Sequence, residues 1–471
     1  MKKKVFVSGD FNILHPGHLR LLKFAKSSAD YLIVGVNGDN ISSKSQTEDI
    51  RLESIQATSY VDEAFIMKES TLEWIRKYKP DIIVKGKEHE YAENSELEIL
   101  NTYGGKLLFN SGEIGFASLD LLKKEFETVS YNVEHNNKYL KRHNITFKSL
   151  KDTIQKFKSL NILVIGDTIV DEYISCEPLG MSQEDPTIVV TPLTSDKFIG
   201  GAAIVASHAK TLGANVKYIS VVGDDLDKEF VSDGLEKLNI DISLYSDETR
   251  PTTLKQRFRA NGKTLLRVNH LKQHKILNDI EKLILKEIEQ SIAELDLIIF
   301  SDFSYGVLTQ NLIDNISIMG KENNIFMSAD SQSSSQIGDI SKFSDMTLLT
   351  PTEREIRLSL NDFESGLVVL SEKLTKKSTS KYIFTTLGAE GIMIYNHKEN
   401  ELITDNISAL GNIAKDVSGA GDSLLMCSSM ALSVGANIWE SAYLGSLAAA
   451  IQVSRLGNIP IKKDELLQEL G

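Results

Sequence analysis

Short apolar runs alternate with amphipathic segments along the whole chain, and this alternation predicts the fold. The apolar runs end in glycine or polar residues, as buried parallel strands do, and the segments between them carry apolar residues at helical spacing. Predicted strands cover residues 4–8, 31–37, 81–85 and 106–109, and then 161–166, 187–192, 217–223, 296–300 and 381–386. The pattern predicts an α/β protein with two doubly wound domains.

A stretch of different character separates the two groups of strands. After residue 118 the periodicity becomes helical and the composition turns polar, and residues 131–149 have little apolar content. The sequence therefore predicts a first domain over residues 1–127, a linker or helical connection over 128–158 and a second domain over 159–471. A chain of 471 residues agrees with two or three domains.

Composition and charge narrow the class of function. The net charge of −13 argues against a nucleic-acid-binding protein, because binding to a phosphate backbone needs an excess of Lys and Arg. The first apolar run is cut short by Ser8, Gly9 and Asp10, so no signal peptide is predicted. No apolar stretch approaches the roughly 20 residues that span a bilayer. We expect a cytoplasmic protein that binds neither nucleic acid nor membranes.

A pair of histidines follows the first predicted strand. His15 and His18 stand in the segment 9–18 (GDFNILHPGH), where a strand ends and a helix begins. A helix N-terminus gathers unpaired N–H groups and partial positive charge, so it suits a triphosphate. Both imidazoles can then stabilise charge on the reacting phosphate, and Gly17 allows the backbone to approach closely. The alternatives are a chance surface pair and a metal pair, although carboxylate or cysteine ligands in a suitable register for a metal are missing.

On these residues the first domain resembles the HxGH superfamily of cytidylyl- and adenylyltransferases, and within it the adenylyltransferase half of bifunctional heptose enzymes. Residues 36–39 (VNGD), Arg51 and residues 81–86 (DIIVKG) match as well. The resemblance implies that His15 and His18 bind and activate the triphosphate. It also implies nucleotide contacts from Gly9, Phe11, Gly17, Asp39, Lys44, Lys85 and Ser118. Asn12 stands where family members usually carry Asp, and a solvated surface lysine is the alternative for Lys44.

A glycine-rich turn precedes an apolar helix predicted over residues 423–432. The segment 416–422 reads DVSGAGD, and small residues before a helix can direct successive N–H groups at one anion. Asp422 can accept the proton of an attacking hydroxyl. Alone this is a weak signal, because glycine turns and aspartate N-caps are common. Three further segments strengthen it: 161–171 (NILVIGDTIVD), 200–203 (GGAA) and 350–355 (TPTERE).

Together these segments resemble the ribokinase family of sugar kinases, over residues of about 160 to 465. The resemblance implies that Asp422 is the catalytic base. It further implies an anion hole of Gly419, Ala420 and Gly421, and sugar contacts from Asp171, Gly200 and Gly201. Glu355 would organise Mg²⁺ through water, and ATP would be the phosphate donor. Thr352 replaces the Asn of the usual N-x-x-E, and Ile204 stands where these kinases usually place Asn against the sugar.

The second domain is most similar to heptose-7-phosphate kinases, through residues 166–171 (GDTIVD), 251–257 (PTTLKQR) and 300–303 (FSDF). Lys255 and Arg257 alternate on a predicted strand and so point to one face, where a basic pair suits a sugar that carries its own phosphate. A solvated strand face is the alternative. By the resemblance Asp302 joins the sugar-binding residues.

The two resemblances imply one reaction sequence. The kinase would phosphorylate the anomeric hydroxyl of a sugar, with heptose 7-phosphate as the expected substrate. The nucleotidyltransferase would then transfer a nucleotidyl group to the sugar 1-phosphate, with AMP from ATP expected and CTP as the alternative donor. With ATP the product would be an ADP-heptose or related sugar, a lipopolysaccharide precursor. Both steps use Mg²⁺. The familiar heptose enzymes place the kinase first, and this chain has the opposite order.

Two other hypotheses remain open from the sequence. One is that only one half is active, and the other is a non-catalytic nucleotide-sensing protein. In addition, residues 187–191 follow Pro186 and resemble the lid strand of ribokinase-like folds, which is often used for dimers. A homodimer is therefore expected.

Overall fold

The computed structural model describes residues 3–12, 14, 16–39, 47–86, 94–110, 133–182, 184–185, 187–260, 263–333, 338–398, 401–411 and 414–471. The chain divides into two compact units, Met1–Val129 and Ser130–Gly471. Nowhere in the described ranges does a helix combine the length and the apolar character that crossing a bilayer requires.

In the first unit the described strands form one five-stranded parallel sheet. Its elements are β1 (Lys4–Gly9), α1 (Pro16–Ser28), β2 (Tyr31–Asn37), α2 (Glu48–Gln56), β3 (Glu63–Met67), α3 (Thr71–Tyr78), β4 (Ile82–Gly86), α4 (Glu96–Asn101) and β5 (Lys106–Asn110). The strand order is β3-β2-β1-β4-β5, with every neighbouring pair parallel. The order reverses between β1 and β4, and ligands of open α/β sheets bind at such a switch point.

Helices cover both faces of this sheet because side chains alternate along each strand. Val5 and Val7 of β1 face one buried cluster, which includes Leu22 of α1. Phe6 faces the opposite cluster and stacks on Trp74 of α3, with the ring centroids 3.9 Å apart. Full burial of a side chain such as Phe6 contributes about 2 kcal/mol. The alternation of β1 therefore builds the cores on both sides of the sheet.

The second unit is a larger α/β fold. Its elements are α5 (Asn137–Arg142), α6 (Phe147–Lys156), β6 (Asn161–Gly166), β7 (Thr168–Met181), β8 (Ile188–Gly201), α7 (Ala202–Thr211), β9 (Asn215–Val222), α8 (Leu226–Lys237), β10 (Asp241–Ser246), β11 (Thr253–Ala260), β12 (Lys263–His270), α9 (Asn278–Ser291), β13 (Leu297–Asp302), α10 (Gln310–Glu322), β14 (Phe326–Ser331), β15 (Leu348–Leu349), α11 (Glu353–Leu360), α12 (Leu367–Ser378), β16 (Tyr382–Thr386), β17 (Ile392–Lys398), β18 (Glu401–Ile407), α13 (Ala420–Ser433), α14 (Ile438–Val453) and α15 (Lys463–Glu469).

The main sheet of this unit has nine strands among the described residues, in the order β10-β9-β6-β13-β14-β15-β16-β17-β18. Pairing is parallel from β10 to β16, and β17 and β18 add antiparallel strands at one edge. Helices α7, α13 and α14 pack on one face, and α9, α10, α11 and α12 on the other. Every residue of α13 from Asp422 to Leu432 is buried, in keeping with its apolar and small residues all round.

A separate four-stranded sheet, here called the lid sheet, has the order β12-β11-β7-β8. Lys255 of β11 lies opposite Asp171 of β7, and Arg257 of β11 lies between Tyr173 of β7 and Arg267 of β12. Cross-strand neighbours project from the same face of a sheet. One face of the lid sheet therefore carries a row of charged and polar side chains.

Helices α5 and α6 occupy the stretch that the sequence predicts to be a linker or helical connection. Their buried apolar residues belong to the same core cluster as α13 and α14: Tyr139, Leu140, Leu150 and Ile154. On the exposed side, Arg142 and His143 both pair with Asp405 of β18, at 2.7 and 2.6 Å. The compact second unit begins at Ser130. These helices are therefore part of the second unit's fold.

Candidate functional site

In the first unit, the turn after β1 brings together several of the residues expected to bind a nucleotide. Gly9 ends β1, and a Cβ atom added there would lie 3.3 Å from the Phe11 ring. Phe11 is buried with a φ of 45°, and its ring meets the ring of His18 edge-on at 5.1 Å. Gly17 and His18 lie in the first turn of α1. His18 is thus held at the start of a helix, beside the β1–β4 switch point.

Arg51 joins the carboxyl ends of β1 and β2. The side chain is fully buried, and its guanidinium donates to the backbone oxygens of Asp10 and Asn37 at 2.7 and 2.8 Å. It also donates to the carboxylate of Asp39 at 2.6 Å. A buried guanidinium is tolerated only when its donors are paired, so these bonds fix the shape of this edge of the sheet. Asp39 therefore has a structural partner in Arg51.

Lys85 lies on β4, across the switch point from β1. Its Nζ donates to Asn94 at 3.0 Å and to Glu96 at 2.9 Å. The ammonium is thus already paired, and it would reach a phosphate only by exchanging partners. His15, Lys44 and Ser118 lie outside the described residues, and their roles stay predictions.

In the second unit, a cavity of about 880 Å³ lies among the ends of the parallel strands, the start of α13 and the lid sheet. Asp330, Thr350 and Thr386 contribute to its wall from the ends of β14, β15 and β16. Small-molecule sites span roughly 300 to 1,000 Å³, so this cavity is at the large end of that range.

The glycine turn before α13 forms one wall of the cavity. Gly419, Ala420 and Gly421 all line it. Gly419 is the N-cap with a φ of 76°, and no side chain caps the helix. The left-handed φ explains the glycine, and an uncapped helix start offers N–H groups to an anion. The structure thus brings the three residues of the predicted anion hole to the cavity.

Asp422 lies in the first turn of α13 and lines the same cavity with 4% of its surface exposed. Burial and the neighbouring charge of Asp171 raise the pKa of Asp422 to about 7, against a lowering by Lys255. Its carboxylate accepts one long hydrogen bond, from Nε2 of Gln332 at 3.4 Å. A carboxyl group whose pKa lies near neutral pH is suited to proton transfer.

Asp171 connects three elements at the cavity. Its carboxylate forms an ion pair with Arg257 of β11 and accepts a hydrogen bond from Nδ2 of Asn458 at 3.0 Å. A Cβ atom added at Gly200 would lie 2.4 Å from Oδ2 of Asp171, and one added at Gly201, with a φ of 62°, would lie 2.3 Å from a backbone oxygen. Close packing therefore requires glycine at both positions. Asp171 and Gly201 line the cavity, and Gly200 makes room for the Asp171 carboxylate.

The lid sheet contributes positive charge to the cavity through Lys255, Arg257 and Arg267. Nζ of Lys255 lies 5.0 and 5.3 Å from the ring centroids of Phe303 and Tyr305. Arg257 is paired with Asp171. Among the described residues, neither Lys255 nor Arg267 forms an ion pair, so both keep their charge for an anionic ligand.

Asp302 is not among the residues that line the cavity. Its buried carboxylate pairs with Nζ of Lys342 at 2.7 Å and accepts a hydrogen bond from the Ser331 hydroxyl at 2.7 Å. Its position at the end of β13 resembles that of a ligand-binding residue, but its carboxylate is engaged by Lys342 and Ser331. A role for Asp302 in binding the sugar stays a prediction.

Asp330 is a cavity residue that sequence reasoning missed. It is 6% exposed, and its Oδ1 has no hydrogen-bond partner among the described residues. Burial, together with the charges of Glu355 and Asp422, raises the pKa of Asp330 well above its ordinary value. Its signal in the sequence was a carboxylate at the end of the short apolar run 325–330, which was not recognised as a strand.

Glu355 lines the cavity beside Asp330. Its two carboxylate oxygens accept backbone N–H bonds from Thr352 at 2.8 Å and from Ser333 at 2.7 Å. In the described part of the chain, no group of three or more His, Cys, Asp or Glu side chains is placed to hold a metal ion. Asp330 and Glu355 present carboxylate oxygens, a type of ligand that Mg²⁺ takes together with water and phosphate oxygens.

A second missed group follows β16. Thr386, Gly388 and Gly391 line the cavity, and the two glycines have φ values of 61° and 98°. The spacing T-x-G-x-x-G after a predicted strand was visible in residues 386–391. The neighbouring wall is apolar, with Ile392, Leu410, Ala450 and Val453. Backbone turns beside an apolar slot suit a ligand with a flat ring and a polar tail.

Two family models match the chain. Residues 159–464 match the model described as pfkB family carbohydrate kinase. Residues 6–103 match the model described as cytidylyltransferase-like. The first match lies in the second compact unit and the second match in the first unit.

Curated relatives are similar to part of the chain. The bifunctional protein HldE of Campylobacter jejuni subsp. doylei is 31% identical over 312 residues, covering 65% of this chain and 63% of the relative. The bifunctional protein HldE of Helicobacter hepaticus is 31% identical over 317 residues, covering 66% of this chain and 64% of the relative. The chain thus spans less than two thirds of the length of these relatives.

Solved kinases share the fold over 66% of the chain. The ribokinase of Arabidopsis thaliana, complexed with ribose and ATP, aligns over 98% of its length with a TM-score of 0.52 and 15% identity. Phosphofructokinase-2 of Escherichia coli, in complex with substrates and products, aligns over 97% of its length with a TM-score of 0.53 and 14% identity. The predicted α/β class, with a ribokinase-like second unit, is confirmed. Because residues 159–464 are well over half of its length, the chain belongs to the pfkB family of carbohydrate kinases.

Proposed function

We propose that this chain is a bifunctional transferase. Its second unit phosphorylates the anomeric hydroxyl of a sugar phosphate, with heptose 7-phosphate as the expected substrate and ATP as the donor. Its first unit then transfers AMP from ATP to the sugar 1-phosphate. The observation that carries the kinase half is the buried Asp422 beside the uncapped start of α13. The likeness to bifunctional HldE proteins supports the pairing of the two activities.

Asp422 acts as the base in the kinase step. The sugar hydroxyl oxygen bonds to the γ-phosphorus of ATP, its proton moves to Asp422, and the bond from the γ-phosphorus to the β–γ bridging oxygen breaks, releasing ADP. The N–H groups at Gly419, Ala420 and Gly421 stabilise the charge on the transferred group. Phosphoryl transfer depends mostly on such positioning and charge stabilisation.

The phosphate that the sugar already carries is assigned to Lys255 and Arg267. The sequence suggested Lys255 with Arg257, but Arg257 is engaged by Asp171. Lys255 and Arg267 line the cavity and keep their charges free among the described residues. Arg257 then orients Asp171 toward the sugar hydroxyls. Gly201, at the base of the lid sheet, belongs to the same proposed sugar site.

Asp330 and Glu355 are the residues that would hold Mg²⁺, with Glu355 acting through water. The unpaired Oδ1 of Asp330 fits this role, because a buried carboxyl oxygen without a donor favours a cation. When bound, the ion would neutralise the charge of the triphosphate. The apolar slot beside Gly388 and Gly391 is assigned to the ATP base.

The nucleotidyl step is assigned to the β1–β4 switch point of the first unit. An oxygen of the sugar 1-phosphate bonds to the α-phosphorus of ATP, and the bond from the α-phosphorus to the leaving pyrophosphate breaks. His15 and His18 stabilise the charge that develops there. The cytidylyltransferase-like match and the position of His18 in the first turn of α1 support this assignment.

A homodimer through the lid sheet belongs to the same proposal. Large apolar side chains on the outer parts of β7 and β8 are 57% to 63% exposed: Leu179, Met181, Ile188 and Leu193. A group of exposed apolar side chains on one surface marks an interaction site. A second copy of the lid sheet would cover them.

One assay separates the proposed function from its alternatives. The purified chain is mixed with ATP, Mg²⁺ and heptose 7-phosphate, or in a second reaction with a sugar 1-phosphate, and ADP and pyrophosphate are measured separately. We expect ADP in the first reaction and pyrophosphate in the second. ADP without pyrophosphate would show that only the kinase half is active. The absence of both products would favour a nucleotide-sensing protein.

A further inference from the structure

Asn458, in the segment after α14, reaches the kinase cavity but was not recognised in the sequence. The residue is 7% exposed and lines the cavity. Its Nδ2 donates to Oδ2 of Asp171 at 3.0 Å. Its Oδ1 is buried without a hydrogen-bond partner among the described residues. A buried acceptor without a donor costs free energy. We therefore expect a bound ligand to donate a hydrogen bond to this oxygen.

Two glycines from separate motifs make room for this one amide. A Cβ atom added at Gly200 would lie 2.4 Å from Oδ2 of Asp171 and 3.2 Å from Nδ2 of Asn458. A Cβ atom added at Gly419 would lie 2.5 Å from Oδ1 of Asn458. The Gly-Gly turn before α7 and the glycine turn before α13 therefore both lie against Asn458. Its amide joins the proposed sugar site to the proposed anion hole.

The orientation of the amide follows from its neighbour. Asp171 is paired with Arg257 and presents an acceptor oxygen to Asn458. Turning the amide by half a turn would set two acceptor oxygens against each other, so Nδ2 must face Asp171. Oδ1 then faces the side of Gly419, where the reacting groups meet.

The donor that suits Oδ1 is a sugar hydroxyl. Phosphate oxygens are acceptors at neutral pH, so they cannot satisfy an amide oxygen. A hydroxyl group on the carbon beside the reacting one can donate to Oδ1 while the reacting hydroxyl donates to Asp422. We propose that Asn458 is a substrate-binding residue whose Oδ1 accepts a hydrogen bond from the sugar hydroxyl next to the phosphorylated one. This inference rests on the proposed sugar kinase activity.

Calorimetric titration of the full chain tests the inference without turnover. The probes are heptose 7-phosphate and its 2-deoxy analogue, which lacks the hydroxyl next to the anomeric carbon. The unaltered chain should bind heptose 7-phosphate about tenfold more tightly than the analogue, the value of one good hydrogen bond. In Asn458→Leu, which has similar size but no acceptor, this ratio should fall to about one.

A second variant and a control distinguish the loss of the Oδ1 hydrogen bond from a purely structural effect. Asn458→Asp keeps an acceptor but loses the bond to Asp171, so both probes should bind more weakly while their ratio stays near tenfold. Asn396→Ala removes a buried amide of β17 that does not line the cavity, and it should leave both affinities unchanged. If Asn458→Leu does not fold, the ratio in Asn458→Asp decides.

The outcomes separate the inference from the proposed function. Equal losses for both probes in Asn458→Leu, or a ratio of about one in Asn458→Asp, would contradict the role of Oδ1 while leaving the kinase proposal intact. A failure of the unaltered chain to bind heptose 7-phosphate would overturn the proposed substrate and this inference with it.

Discussion

Among single residues, Asp422 is the base in the proposed kinase step. It belongs to a helix that is buried from Asp422 to Leu432, and its own exposure is only 4%. Burial raises the pKa of Asp422, Asp171 adds to the effect and Lys255 opposes it. Because the proton acceptor must be ionised to act, the same burial that positions Asp422 also ties the kinase rate to pH.

The kinase rate is predicted to follow the ionisation of Asp422. With a pKa of about 7, kcat should fall as the pH drops through neutrality. Lys255→Met removes a positive charge that lowers this pKa, so the acid limb of kcat should move to higher pH. The measurement is the pH dependence of ADP formation at saturating substrate.

Lys263→Met is the matched control, since Lys263 is an exposed residue of the same lid sheet and does not line the cavity. Its pH profile should match that of the unaltered chain. An acid limb that stays in place in Lys255→Met would show that Lys255 does not act on the base.

Asp422→Asn is predicted to stabilise the second unit more at high pH than at low pH. The pKa of Asp422 rises from 3.8 to about 7 on folding, so the native state retains a proton that the unfolded state loses between these values. The free energy of unfolding therefore falls as the pH rises through this window and stays lower above it. The asparagine side chain carries no charge, so the free energy of unfolding of the variant does not fall for this reason.

Thermal unfolding at about pH 4 and about pH 8 measures this difference. The gain in Tm of Asp422→Asn should be larger at the higher pH. A gain that is the same at both pH values would mean that the buried carboxyl group does not carry the penalty.

Some residues of the candidate site are neighbours in the sequence, whereas others come together only when the chain folds. Gly419, Ala420, Gly421 and Asp422 are consecutive, so a local pattern was enough to find them. Asn458 reaches the cavity only because β7 and the segment after α14 meet, which no local pattern reports. The partner of a carboxylate at a strand end can also be distant in sequence, as Lys342 is for Asp302 of β13.

At the scale of elements, α5 and α6 show that a polar segment can be structural. Most of their residues are polar, but Tyr139, Leu140, Leu150 and Ile154 fill the core of the second unit. A chain of residues 159–471 is predicted to be less stable than one of residues 130–471, because it exposes the surface that these side chains cover. The midpoint of urea unfolding compares the two. Equal midpoints would contradict the assignment of these helices to the kinase core.

Strands made of a continuous apolar run were easier to predict than strands of mixed composition. Residues 161–166 are apolar on both faces, and they form β6 with the predicted bounds. The edge strands β3, β10 and β18 were missed, because a half-exposed strand mixes polar and apolar residues without a clear period. The predicted strand 187–192 is only the first part of β8, whose length depends on pairing with β7.

For the whole molecule, the proposed dimer depends on the apolar outer part of the lid sheet. Leu193 is 63% exposed, and Leu193→Asp is predicted to convert the dimer to a monomer by placing a charge in the interface. Leu277→Asp is the control, since Leu277 is 49% exposed before α9 and outside the lid sheet. Sedimentation at micromolar concentration gives the mass. A monomeric unaltered chain would refute the dimer.

The assignment of the two reactions to two separate units is the central claim, and one labelling measurement tests it most directly. The chain is given heptose 7-phosphate and ATP that is radioactive in its γ-phosphate, and label in the sugar is followed for the unaltered protein and for Asp422→Asn. In parallel, both proteins are given a sugar 1-phosphate and ATP, and pyrophosphate is measured.

We predict that Asp422→Asn lowers transfer of the label at least about 100-fold, the usual contribution of a general base, and leaves pyrophosphate formation unchanged. Label transfer that is the same in both proteins, or a loss of both products together, would contradict the account.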